Sequence, residues 1–232
     1  MQKVTVLAAL GMLGVVGAAN AEVSATVTAT NDYVFRGISQ ASEDPALQLG
    51  LDFNHSSGWY IGVWGSNVDF GPGDPADIEV DIYTGFAGET AAGLGWDVGI
   101  NYYTYPDESD YNFPEIYAKL SYGVFSGGLY YSNDWAGSDE DSLYIQAGVS
   151  VPFGEGFTFD VGAGYSFGDA FDDVEYFDYS IGVGYTVGNF NLSLAWVDTD
   201  IGRSNPLFSD EDALNSEGRV VFTISTTFPW AK

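Results

Sequence analysis

Period-two alternation of apolar and polar residues runs through almost every segment of this chain. In Leu143-Tyr144-Ile145-Gln146-Ala147-Gly148-Val149-Ser150-Val151 the odd positions are apolar and the even ones polar or small, apart from Tyr144. Phe157–Tyr165, Tyr179–Tyr185, Leu47–Phe53 and Val220–Thr226 repeat the pattern. Alternation sends one set of side chains to each face of a sheet. After residue 21 no comparable 3.6-residue periodicity occurs, so the chain reads as all-β. Turn-forming residues divide it into twelve predicted strands at 23–38, 46–55, 59–69, 77–88, 95–105, 113–122, 128–134, 142–152, 157–167, 175–187, 190–198 and 218–228. Most are close to the length of about 9–11 residues that a tilted strand needs to cross a bilayer.

Residues 1–21 stand apart. Lys3 precedes an apolar run from Val4 to Ala19, and Ala19-Asn20-Ala21 has the small-residue pattern of a cleavage site. This reads as a secretory signal peptide, and the run is too short and too rich in Ala and Gly for a helical anchor. Residues 22–232 show no linker or composition shift and read as one β-barrel domain.

The connectors between strands alternate strictly in length. The short ones are 55–58, 89–94, 123–127, 154–156 and 187–189. The long ones are 39–45, 69–77, 106–112, 135–141, 168–174 and 199–217. An antiparallel up-and-down barrel of the outer membrane has this asymmetry, with tight periplasmic turns and longer extracellular loops. The acids concentrate in the long connectors, as in Asp107, Glu108 and Asp110, in Asp139-Glu140-Asp141, and in Asp210-Glu211-Asp212. Both termini are then periplasmic, and the location expected is the bacterial outer membrane.

Charge and composition narrow the partners. The chain has 33 Asp and Glu against 6 Lys and Arg, of which Arg36, Lys119, Arg203, Arg219 and Lys232 follow the signal segment. Nucleic acid is excluded as a partner, because a phosphate backbone requires clustered Lys and Arg. There is no cysteine, so an exported chain of this kind has no disulfide framework. The expected partners are outer-membrane lipid and lipopolysaccharide, small solutes or cations, and, during biogenesis, periplasmic chaperones and the barrel-assembly machinery.

In a membrane barrel the apolar set faces lipid and the polar set lines the lumen. Tyr and Trp at strand ends, among them Tyr33, Phe35, Trp59, Tyr60, Phe70, Trp96, Tyr102, Tyr103, Tyr105, Tyr130, Tyr131, Trp135, Tyr176, Trp196, Phe228 and Trp230, are expected to form interfacial girdles. Parity along the first strand puts Tyr33 and Phe35 on the lipid side and Asp32 and Arg36 on the lumen side. The same reasoning sends Glu79, Asp81, Glu115 and Lys119 inward. Asp32, Arg36, Glu79, Asp81, Glu115 and Lys119 are thus the candidate pore-lining residues, with Asp52, Asp97, Asp160 and Asp178 also inside.

Asp32-Tyr33-Val34-Phe35-Arg36-Gly37-Ile38-Ser39-Gln40, followed by Pro45-Ala46-Leu47-Gln48, resembles the start of the TorF family of proposed outer-membrane porins. That family is also known as conserved Gram-negative proteins of unknown function. Gly62–Val68, Glu79–Tyr83, Tyr103–Pro106 and Glu115–Tyr117 look similar to its later blocks. The resemblance covers nearly all of residues 22–232. It implies a barrel and a channel, and supplies no catalytic residues. The terminal Phe228-Pro229-Trp230-Ala231-Lys232 departs from the usual ending on an aromatic residue.

No enzyme is expected. The single histidine, His55, lies beside Ser56 and Ser57 in a short turn, where adjacent residues cannot form a supported nucleophile–base–carboxylate relay. One His without Cys does not make a zinc site, and no acidic run matches a calcium loop. No cofactor is expected. Eight interior acids against Arg36 and Lys119 point to a narrow passage for cations or small neutral solutes, since carboxylate rings favour cations. The alternative is a non-conducting structural or adhesion barrel with acidic surface loops. Arg36 has two readings: neutralising Asp32, Glu79, Asp81 or Glu115 so that they can be buried, or forming the constriction with them.

Overall fold

The computed structural model describes residues 21–172, 174–201 and 215–230. The expected signal segment therefore lies almost wholly outside the described residues, as do Arg203, the Asp210–Asp212 run and Lys232.

Twelve strands close into one antiparallel barrel. They are β1 (Glu22–Thr30), β4 (Ala46–Asn54), β5 (Trp59–Asn67), β6 (Ile78–Glu89), β7 (Gly95–Thr104), β8 (Phe113–Tyr122), β9 (Phe125–Ser132), β10 (Ser142–Phe153), β11 (Phe157–Phe167), β12 (Tyr176–Val187), β13 (Phe190–Thr199) and β14 (Arg219–Phe228). Each strand pairs with its neighbour in sequence. β1 closes the ring on β14, with Ala25 opposite Phe228 and Thr30 opposite Thr223. Closure leaves no strand edge unpaired, which a sheet in hydrocarbon requires. Two short strands, β2 (Val34–Phe35) and β3 (Ile38–Ser39), form a separate hairpin.

The outer wall is apolar. Ile116, Leu194 and Leu47 each remain more than half exposed, and every strand of the ring carries an outward apolar residue that is more than a third exposed. A continuous belt of this kind needs lipid around it. The short turns all lie at one end of the barrel and the long connectors at the other. Trp59, Trp96, Tyr102, Tyr131, Trp196 and Phe228 take outward positions and Trp230 is exposed, as girdles require.

Nine of the expected girdle aromatics do not face lipid. Tyr60, Tyr103, Tyr130 and Tyr176 occupy inward register positions on their strands. Tyr33, Phe35, Phe70, Tyr105 and Trp135 pack into buried interior clusters. The reason is space: a twelve-stranded ring is wide enough to need large side chains inside. Inward rings also lie against facing glycines. Tyr83 lies directly opposite Gly62, and Tyr144 covers Gly164 on the adjoining strand. A β-carbon at either glycine would enter the tyrosine ring, whereas one at Gly50 would meet its nearest neighbour at 3.8 Å.

Gly164→Ala is therefore expected to destabilise the barrel by about 1–3 kcal/mol through overpacking, and Gly50→Ala by far less. Urea unfolding in lipid vesicles measures the difference, and equal effects would contradict the ring-on-glycine packing.

Candidate functional site

The interior is organised by residues 31–45, which join β1 to β4. The first strand, expected to continue to residue 38, stops at Thr30. Asn31 ends it by placing its side chain on the β14 backbone: Nδ2 donates to the carbonyl of Val220 at 3.2 Å, and Oδ1 accepts from the Phe222 amide at 2.5 Å. The chain then turns inward. Val34 pairs with Ser39 and Phe35 with Ile38, leaving Arg36-Gly37 as a two-residue hairpin loop. Both loop residues have positive φ, 49° and 82°, the requirement of a type I′ turn. Gly37 meets it without strain, and Arg36 is held there by its contacts.

Those contacts cross the barrel. The Arg36 guanidinium donates to Glu115 Oε2 on β8 at 2.5 Å. Four aromatic faces surround it, with ring centroids at 4.3 Å for Tyr144, 4.7 Å for Phe35, 5.0 Å for Trp135 and 5.3 Å for Tyr130. Desolvated cation–π contacts of this kind are worth about 2 kcal/mol or more. On the other side of the loop, a β-carbon at Gly37 would meet Thr199 Cγ2 at 2.5 Å and Asp178 Cβ at 2.8 Å, so the tip abuts β12 and β13. Tyr33 donates to Glu79 Oε1 on β6 at 2.9 Å and packs edge-on against Trp64 on β5. Phe35 stacks on Trp135 and meets Tyr103 edge-on. Tyr33 and Phe35 thus belong to the interior and not to the lipid face; once the chain leaves the wall at Asn31, strand parity no longer says where a side chain points.

All six candidate lumen residues lie on the interior side. Glu115 is 1% exposed, and Asp32 and Glu79 are 2% exposed. They do not form one cluster around Arg36. Asp32 Oδ2 accepts from Arg219 Nε on β14 at 2.5 Å, and its Oδ1 accepts from Ser39 Oγ at 2.6 Å. Glu79 accepts from the hydroxyls of Tyr33 and Tyr105, and Asp81 from Asn101 Nδ2 at 2.8 Å. Only Glu115 takes the Arg36 charge, with Tyr103 donating to its other oxygen. Lys119 stands 3.7 Å from Asp97, which also accepts from Tyr60. Below this level Tyr83 donates to Asp52.

Parity directs Tyr83 and Tyr117 inward together with Glu79, Asp81, Glu115 and Lys119, as found, whereas Arg219 and the interior positions of Tyr60, Tyr103, Tyr105, Tyr130 and Tyr176 were missed in the sequence. Parity was available for Arg219, since Val220 and Phe222 point outward and so direct residue 219 inward. The same signal was available for the wall tyrosines, since Tyr103 shares the parity of Asp97 and Tyr130 stands between the outward Leu129 and Tyr131. His55 bonds Ser57 across its exposed turn at 2.8 Å, and no carboxylate contacts it among the described residues. Among the described residues no three side chains of the Asp, Glu, His and Cys types converge to hold a metal.

A closed antiparallel barrel with an apolar outer belt and a charged, tyrosine-rich interior defines a transmembrane barrel of the porin type. Residues 15–228 match the family described as "Bacterial protein of unknown function (Gcw_chp)", and the chain belongs to it. Among solved structures it is similar to the KdgM porin (TM-score 0.58, 8% identity, 90% of this chain and 99% of that one). It is also similar to a KdgM porin in complex with disordered oligogalacturonate (0.55, 7%, 90% and 99%) and to the NanC porin (0.57, 11%, 88% and 99%). No curated protein matches the chain.

Removing one partner of a buried ion pair costs about 3–5 kcal/mol. Arg36→Met is expected to destabilise by that order, and adding Glu115→Gln to recover a large part of it. Unfolding of the two single variants and the double variant measures the coupling; additive losses would mean that Arg36 and Glu115 act independently.

Proposed function

We propose that this protein is a narrow outer-membrane channel for cations or small neutral solutes, constricted by the inward segment 31–41. The observation that carries this reading is the charge balance around that segment. Asp32, Asp52, Glu79, Asp81, Asp97, Glu115, Asp160 and Asp178 project inside, against Arg36, Lys119 and Arg219. An interior with this excess of carboxylate attracts cations and repels anions. The porin-type fold and the motif likeness to the TorF porins support an outer-membrane location. The KdgM structure holds an oligogalacturonate, a polyanion. The fold is shared, but the acid excess in this chain argues against a ligand of that charge.

The hairpin touches the wall on nearly every side: β5 through Tyr33, β7 and β8 through Phe35 and Arg36, β9 and β10 through Arg36, β12 and β13 through Gly37, and β14 through Asp32. A segment held on so many sides narrows the lumen at its level. The same observation favours a second reading, a sealed barrel with a structural or adhesive role.

Planar-bilayer recording under a KCl gradient separates the two. The channel reading expects a cation-favouring reversal potential, and a several-fold larger conductance when Asp32–Gln40 is replaced by a short Gly-Ser linker in a folded barrel. Anion-favouring reversal would sink the selectivity. A wild type and a linker variant that are both silent would leave the sealed barrel.

A further inference from the structure

Two of the buried carboxylates lack a counter-charge. Glu79 and Asp81 stand two residues apart on the inward face of β6, 2% and 8% exposed. Neither forms an ion pair among the described residues, since Arg36 is taken by Glu115, Arg219 by Asp32 and Lys119 by Asp97. Tyrosine hydroxyls and one amide supply dipoles to them but no charge. Two ionised carboxylates side by side in a water-poor interior repel each other and are costly without a cation.

Oxygen atoms without a partner stand at the same place. Asp81 Oδ1 is buried and accepts no hydrogen bond, and the same holds for Asn101 Oδ1. The two side chains are joined through their other atoms, Asn101 Nδ2 donating to Asp81 Oδ2 at 2.8 Å. The two free oxygens thus belong to side chains already in contact across the paired strands β6 and β7, and Glu79 stands two residues from Asp81 on the same inward face. A carboxylate oxygen, an amide oxygen and a second carboxylate are the ligand types of a hard cation. The two uncompensated negative charges match a divalent one.

We propose that Asp81, Asn101 and Glu79 form an interior binding site for a hard divalent cation of the calcium class. The site lies in the wall side of the constriction, against the hydroxyls of Tyr33 and Tyr105. It does not depend on conduction: a sealed barrel would hold the ion equally well. It differs from the acidic connectors, whose carboxylates are exposed or half-buried among the described residues.

The test uses the purified full chain, folded in detergent micelles. Excitation of tyrosine sensitises Tb³⁺ bound beside it, so Tyr33 and Tyr105 supply an internal reporter. Tb³⁺ emission is expected to saturate and to be displaced by Ca²⁺. Saturating Ca²⁺ is expected to raise Tm by about 5–10 °C over the same protein in EDTA. Asp81→Asn, isosteric and neutral, should abolish both responses. A rim variant, Asp139→Asn with Glu140→Gln and Asp141→Asn, should retain both, and this arm holds even where Asp81→Asn folds poorly. Absence of both responses in the wild type would overturn the proposal. Responses that survive Asp81→Asn, or vanish in the rim variant, would overturn it by moving the ion to the connectors.

Discussion

Hydrocarbon offers no partner to a backbone amide or carbonyl, so a chain whose strands cross it must pair every strand edge with another. Pairing β1 with β14 meets that demand, and much else follows from it. A ring of twelve strands encloses a space too wide for alternating glycine and serine to fill. The interior therefore takes on tyrosines laid over facing glycines, and a hairpin borrowed from the connector between β1 and β4. Polar groups brought inside with them must then be satisfied. The Arg36–Glu115 and Arg219–Asp32 pairs, and the hydroxyls on Glu79, Asp97 and Asp52, are the answer to that requirement.

The wall and the interior follow different physical rules. In the wall, strand geometry alone decides where a side chain points, and lipid rewards any apolar residue of about the right size. Inside, each residue is placed by specific partners, many of them far away in the chain. The burial of Arg36 illustrates the contrast. Its charge is matched by one carboxylate and spread over four ring faces, and of these partners only Phe35 lies near it in sequence.

That contrast explains what could be read in advance. Strand number, closure and the inward direction of Glu79, Asp81, Glu115 and Lys119 follow from a local period of two and from connector length. The hairpin at 34–39 was not legible because no Gly or Pro interrupts the run from Val23 to Arg36, and Arg36-Gly37 is a less familiar type I′ pair than Asn-Gly or Asp-Gly. Tyr33 and Phe35 were misplaced for that reason. Arg219 was within reach, because parity on β14 directs it inward, but which carboxylate it serves depends on a turn at the opposite end of the chain. Tyr103 was within reach through its parity with Asp97, whereas Tyr105 lies beyond the end of β7, where parity no longer says which way a side chain points.

The bond between Asp32 and Arg219 spans 187 positions of sequence. Asp32 sits just beyond the first strand of the ring, and Arg219 opens the last one. The inner hairpin thus remains without its final tether until the closing strand arrives. The interior cannot be finished piece by piece as the wall grows; it is sealed in the same event that seals the ring. A single interaction then reports, at the centre of the protein, that the perimeter is complete.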